Sequence, residues 1–300
     1  MSALYRVLAP TEELTGLPML AMLTGFTDAG SSINQLSGHL FANLESELVI
    51  SFNNDELLDY RSRRPVLFFE KDHIESYEPA ELGIYLMRDE ADQPFLFLDG
   101  YEPDFRWEAF SEAIADICQD LELTSFTWVH SIPFPLPHTR PIGVTVSGNR
   151  KDLIERFSEW KPQTQVPGNI VHLLEYTLTK ADFDVAGFVL LVPHYLADNE
   201  VPGAAVAGLE LISAATGLVF PSDELRDSAA KFLQKVNLQL EDNAELAKLV
   251  ATLESSYSSK DGPARAPIGK PSAEPPSADQ LAEELENYLA AMRRTGEDQE

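Results

Sequence analysis

Residues 17–26 read LPMLAMLTGF, a short apolar run that ends at Gly25 and Phe26. Apolar residues at consecutive rather than alternate positions predict a strand buried on both faces. The polar turn TDAGSS (27–32) follows. Then comes SINQLSGHLFANLE (32–45), whose Ile33, Leu36, Leu40 and Leu44 recur at helical spacing. ELVISF (47–52) reads as the next strand. Strand, turn, helix and strand in this order make a βαβ unit, which sets the α/β class.

Outward from this unit the strand-like runs are RPVLFFE (64–70), LGIYLMRD (82–89) and PFLFLDG (94–100). Few helical residues separate them, so some must pair antiparallel within a mixed, mainly parallel sheet. The segment DFRWEAFSEAIADICQDLEL (104–123) puts Trp107, Phe110, Ile114, Ile117 and Leu121 on one helical face. SFTWVHSI (125–132), IGVTVSG (142–148) and VAGFVLLVPHYL (185–196) are further strands, and residues 168–182 read as a helix. From Pro202 the pattern is helical. GAAVAGLELISAATG (203–217) is small and apolar nearly all round and is expected to be buried. Residues 222–257 open with a Ser cap and an acidic first turn and form one helix or two.

The expected architecture is a three-layer α/β/α core over residues 1–200 with a helical region over 201–257 packed on it. Residues 258–278, SSKDGPARAPIGKPSAEPPSA, lack core formers and are expected to be a disordered linker. Residues 279–300 regain amphipathy, with Leu281, Leu285, Tyr288, Leu289 and Met292 in a stripe. That tail helix is expected to dock on its own body, a neighbouring subunit or another protein.

The 300 residues, 44% of them hydrophobic, suffice for a sizeable core. The formal net charge of −27 repels phosphate backbones, which argues against a nucleic-acid partner. One cysteine cannot form an intramolecular disulfide, and this fits a reducing cytoplasm. The opening MSALYRVLAPTEEL is not a signal peptide, and no segment reads as a membrane span. The expectation is a soluble cytoplasmic protein.

Five segments concentrate chemistry. GFTDAGSS, where a strand hands over to a helix, is neither a dinucleotide fingerprint nor a P-loop. Its Asp28 either caps the helix or faces a ligand at the strand edge. DYRSRRP (59–65) carries Arg61, Arg63 and Arg64, and GYEPDFRW (100–107) carries Glu102, Asp104 and Arg106. These arginines either pair with carboxylates to pin loops and interfaces or line a small-anion pocket. SIPFPLPHTRPI (131–142) surrounds His138, Thr139 and Arg140 with four prolines, which stiffen the backbone. VPHYL carries His194 and Tyr195. His138 and His194 each follow a buried strand, so they either share a crevice at the sheet end or satisfy loop carbonyls. The six histidines show no metal-ligand spacing, and no nucleophile elbow is present. Cys118 reads as an inert core thiol. No catalytic role, metal or cofactor is assigned.

In this order GFTDAGSS, DYRSRRP, GYEPDFRW, PHTRP, VPHYL and LESSY resemble the proteasome assembly chaperone 2 family, in its bacterial branch of roughly 300 residues. The resemblance runs from about residue 18 to residue 257, with EPDFRW and PHTRP as its strongest parts. It implies a phosphorylase/hydrolase-like α/β/α fold and a homo-oligomer, here put at a trimer. Eukaryotic relatives are non-catalytic chaperones of the proteasome α-ring, so proteasome α-subunits or another protein are the implied partners. Descriptions of the family also invoke ATP-grasp-like enzymes, for which this sequence offers no lysine-bearing Gly-rich loop. Proteasome-binding relatives can end in hydrophobic-Tyr-any residue. This chain ends TGEDQE, which speaks against docking by that route. The leading expectation is a non-catalytic protein that works by protein–protein contact. The alternative is a small-molecule binder or enzyme, for an anion or nucleotide, with an Arg/His-lined pocket at the strand ends.

Overall fold

The run at 17–26 is strand β2 (Pro18–Thr24), and its side chains go alternately to two cores. Leu20 and Met22 face one side of the sheet, and Met19 and Ala21 face the other. All four are buried, as a strand covered on both faces requires. The computed structural model describes residues 4–161 and 163–257. The other strands are β1 (Tyr5–Val7), β3 (Ser46–Phe52), β4 (Val66–Glu70), β5 (His73–Glu78), β6 (Leu82–Arg88), β7 (Pro94–Tyr101), β8 (Ser125–Phe134), β9 (Gly143–Gly148) and β10 (Val185–Pro193). The helices are α1 (Ser32–Asn43), α2 (Asn54–Leu57), α3 (Trp107–Asp120), α4 (Lys151–Phe157), α5 (Ile170–Lys180), α6 (Pro202–Thr216), α7 (Asp223–Asp242) and α8 (Ala244–Tyr257).

Eight strands form one mixed sheet in the order β1-β3-β6-β7-β2-β8-β10-β9. Its four central strands, β7, β2, β8 and β10, are parallel, and the flanking pairs are antiparallel. The βαβ unit is present but split. β2 and β3 run the same way, joined by α1, while the antiparallel pair β6–β7 lies between them. α1 and α6 cover one face with Ile33, Leu36, Leu40, Leu209 and Ile212. α3 and α5 cover the other with Phe110, Ile114, Leu174 and Leu178. Gly208 lets α6 approach α1, because a Cβ there would lie 2.7 Å from Leu36 Cδ1. α6 buries one face, with Ala204, Ala205, Gly208, Leu209, Leu211 and Ile212, and is not buried all round: most of its other residues are partly exposed, and Glu210 and Ala214 reach solvent.

One expectation for the strands is corrected. RPVLFFE does not enter the main sheet: β4 pairs only with β5, in a separate two-stranded hairpin. The helical stretch 222–257 divides at Asn243, whose Oδ1 accepts from the backbone N–H groups of Glu245 and Leu246 and so caps α8. The linker and tail expected over 258–300 lie outside the described residues. Among the described residues no helix is long and apolar enough to cross a membrane.

Candidate functional site

The singled-out residues follow the carboxyl ends of the central strands, but they do not converge on one pocket. They form two clusters and a cap. Asp28 is the cap. Its carboxylate accepts from the backbone N–H of Ile33 (2.9 Å) and of Asn34 (3.2 Å), and from Ser131 Oγ (3.0 Å). It thus starts α1 and ties that start to β8.

The first cluster joins DYRSRRP to GYEPDFRW. Arg63 Nη1 donates to Asp104 Oδ2 at 2.6 Å, and the same oxygen accepts from the backbone N–H of Asp59 at 2.8 Å. The Arg63 guanidinium also lies over the Tyr101 ring at 5.3 Å. Arg106 pairs with Glu56. Arg61 is exposed and reaches only Asp59 at 3.4 Å, and Arg64 is exposed. The inward arginine is therefore Arg63, the middle one of the three that DYRSRRP carries, and not Arg61 or Arg64, the two placed among the candidate site residues. Glu102, beside this pairing, accepts from the first backbone N–H of α5, that of Ile170, at 2.7 Å. Burial pushes its carboxyl up, partly offset by this hydrogen bond and by Arg63.

The second cluster joins PHTRP, VPHYL and LESSY, which are far apart in sequence. The Tyr195 hydroxyl accepts from the His138 backbone N–H (2.7 Å) and lies 2.7 Å from His138 Nδ1, while His138 Nε2 lies 3.2 Å from Asn237 Oδ1 on α7. One neutral tautomer satisfies all three, with the tyrosine donating to Nδ1 and Nε2–H donating to the amide. Thr139 donates to Glu254 on α8. Arg140 donates Nε (3.1 Å) and Nη2 (2.8 Å) to Glu254 Oε2, and its guanidinium lies 5.3 Å from the Tyr257 ring centre. The proline-braced loop is thus a latch holding α7 and α8. His194 is not part of it. It is exposed, with its ring edge-on to Tyr195 at 5.5 Å. Asn237, Glu254 and Tyr257 are partners the sequence reading did not assign, although LESSY had marked two of them.

Arg61, Arg63, Arg106 and Arg140, four of the five arginines weighed for an anion pocket, each pair with a carboxylate, and Arg64 is exposed. Cys118 is buried against α3's own face, and burial pushes its thiol up to about 12.

The most exposed apolar surface lies elsewhere, on the β4–β5 hairpin. Val66, Leu67, Phe68, Phe69, Ile74 and Tyr77 are each 50% to 65% exposed. Val66 and Leu67 are consecutive strand residues and point to opposite faces, so both faces carry apolar side chains. Among the described residues no helix or further strand packs on either face, and the hairpin springs directly from the Arg63–Asp104 cluster.

Comparison with known proteins places these features in a family. The sequence profile of the PAC2 family matches residues 22–240. A Mycobacterium tuberculosis protein of unknown function, Rv2714, is 38% identical over 86% of this chain and 91% of its own, with a TM-score of 0.78. A Corynebacterium glutamicum protein of unknown function is 34% identical over 85% of this chain and 97% of its own, with a TM-score of 0.79. The fold is also that of Rv2125, a proteasome-assembly chaperone homologue from Mycobacterium tuberculosis. It is 21% identical over 78% of this chain and 100% of its own, with a TM-score of 0.71. No curated protein matches the sequence. The paired loops and the latched C-terminal helices lie on a scaffold shared almost end to end with these relatives, and the chain belongs to the PAC2 family.

Proposed function

We propose that this chain is a non-catalytic, chaperone-like cytoplasmic protein that acts by protein–protein contact, with the β4–β5 hairpin as its contact arm. The observation that carries this reading is that six large apolar side chains of one hairpin are each half or more exposed among the described residues. Such a patch marks a contact surface, because an isolated two-stranded hairpin gains little stability alone. The first partner is a further copy of the same chain, forming a homo-oligomer with three subunits as the working number. Beyond its own copies the client is another protein, and proteasome α-subunits are the first to test. The Arg63–Asp104 pair and the His138/Arg140 latch support this surface by holding the hairpin root and the C-terminal helices.

The test is the double variant Phe68→Asp, Phe69→Asp in the full chain, weighed by light scattering after gel filtration. The reading expects an assembly in the wild type and a 33.3 kDa monomer in the variant, with the melting transition of the core retained. An unchanged assembly mass in the variant would contradict it.

A further inference from the structure

Between the sheet and α5 lies a pocket of about 420 Å³ that takes none of the residues of the two clusters. Strand alternation explains its contents. Val129 of β8 and Val144 and Val146 of β9 enter the core under α1 and α6, so His130, Thr145 and Ser147 face α5. Phe26, after β2, and Trp160, before α5, close its sides. Gly187 of β10 makes room for Trp128 and Glu175 beside the pocket. A Cβ there would lie 2.3 Å from Trp128 Cε2 and 2.6 Å from Glu175 Oε2. Glu175 Oε2 in turn accepts from Trp128 Nε1 at 2.9 Å and from Ser147 Oγ at 2.7 Å, so this oxygen already has two donors.

Two buried polar atoms here, His130 Nε2 and Thr145 Oγ1, have no hydrogen-bond partner, although native structures pair such groups. His130 is only 4% exposed. Its ring stacks on Phe26 (centroids 5.5 Å apart, planes at 24°) and stands edge-on to His172 at 6.4 Å. Burial, with His172 beside it, pulls His130 down to about 4, so the imidazole is neutral near pH 7. Burial lowers His172 as well, and its Nδ1 accepts from the backbone N–H of Asn169 at 3.2 Å. Among the described residues no lysine or arginine lines the pocket, and burial pushes the Glu175 carboxyl up. The surroundings therefore disfavour an anion.

We propose that this pocket binds a small uncharged molecule with a ring-sized apolar body and a hydroxyl or amide at one end. The body lies against Phe26, Trp160 and Val189, and the polar end meets His130 and Thr145. The volume is that of a small-molecule site, and an apolar wall with a few convergent polar groups is its usual form. The proposal does not rest on the hairpin reading, since no hairpin residue lines the pocket.

The test uses the full chain with phenol and benzamide as probes, and benzoate and benzylamine as charged counterparts. Two-dimensional NMR of the histidine rings follows His130 and His172. The expected result is saturable movement of both rings at millimolar phenol or benzamide, with the charged probes bound about tenfold or more weakly. His130→Phe keeps the ring and its stacking but removes the nitrogens, and Thr145→Val keeps the shape but removes the hydroxyl. In each, followed at His172, benzamide should bind about tenfold more weakly while toluene binds no worse than to wild type. No saturable movement in the wild type would overturn the proposal. So would equal binding of benzoate and benzamide, or undiminished benzamide binding in both folded variants.

Discussion

At the scale of single residues, the molecule uses its arginines as loop fasteners. Arg140 shares one oxygen of Glu254 through two donors, which a lysine could not reproduce. Both side chains are partly exposed (42% and 27%), so water screens the pair. Arg140→Ala is expected to cost about 1 kcal/mol. A double-mutant cycle with Glu254→Gln, read from urea midpoints, should return a coupling of that order, and zero coupling would remove the latch from the account. Asp99 gives a pH signature. It accepts from Ser37 Oγ at 2.6 Å, and burial raises it from 3.8 to about 6. Below its ordinary value the carboxyl is protonated in both folded and unfolded chains. Between about pH 4 and pH 6 the unfolded chain has given up this proton while the folded chain still holds it, so stability falls as pH rises through that window, by on the order of 2 kcal/mol, and levels off above it. Asp99→Asn should therefore gain on the wild type by that amount between about pH 4.5 and pH 7, and a pH-independent difference would contradict the assignment. The sequence made the need for fasteners legible but not their geometry. It offered three arginines in DYRSRRP without saying which faces inward, and the turn directs Arg63 there and leaves Arg61 and Arg64 exposed. Asp28 fell on the side of the helix cap. His130, inside the strand SFTWVHSI, carried no signal that its side chain would end beside a pocket.

At the scale of elements, β2, α1, β3, α3, β8 and β10 were legible because each carries its own period, apolar over the whole strand or at helical spacing. The hairpin was not. An apolar run has the same composition whether its own fold covers it or another chain does, so RPVLFFE read as a strand of the main sheet. Its partner HIESYE has two apolar residues in six positions and gave no strand signal. The split of the crossover by β6 and β7 is a long-range pairing that local pattern does not encode. If the hairpin is a contact arm, its amides should be shielded in the assembly and open in the monomer. Hydrogen exchange across residues 66–78 should then be markedly slower in wild type than in Phe68→Asp, Phe69→Asp. Equal exchange would show that nothing packs on β4 and β5.

At the scale of the whole molecule, a chain of net charge −27 repels its own copies, so association must rest on apolar contact strong enough to overcome that repulsion. The six exposed hairpin side chains are the largest such resource among the described residues. The motifs that carried the family resemblance meet in space as two clusters, one at the hairpin root and one under α7 and α8. A pattern spread over most of the sequence thus describes one rigid frame for an exposed arm. The most direct test of the central claim, that this frame exists for protein contact, is native mass spectrometry of the protein purified gently from the cells that make it. The account predicts a mass that is a whole multiple of 33.3 kDa, alone or with a second protein bound. A single 33.3 kDa chain, with no protein attached at micromolar concentration, would contradict it.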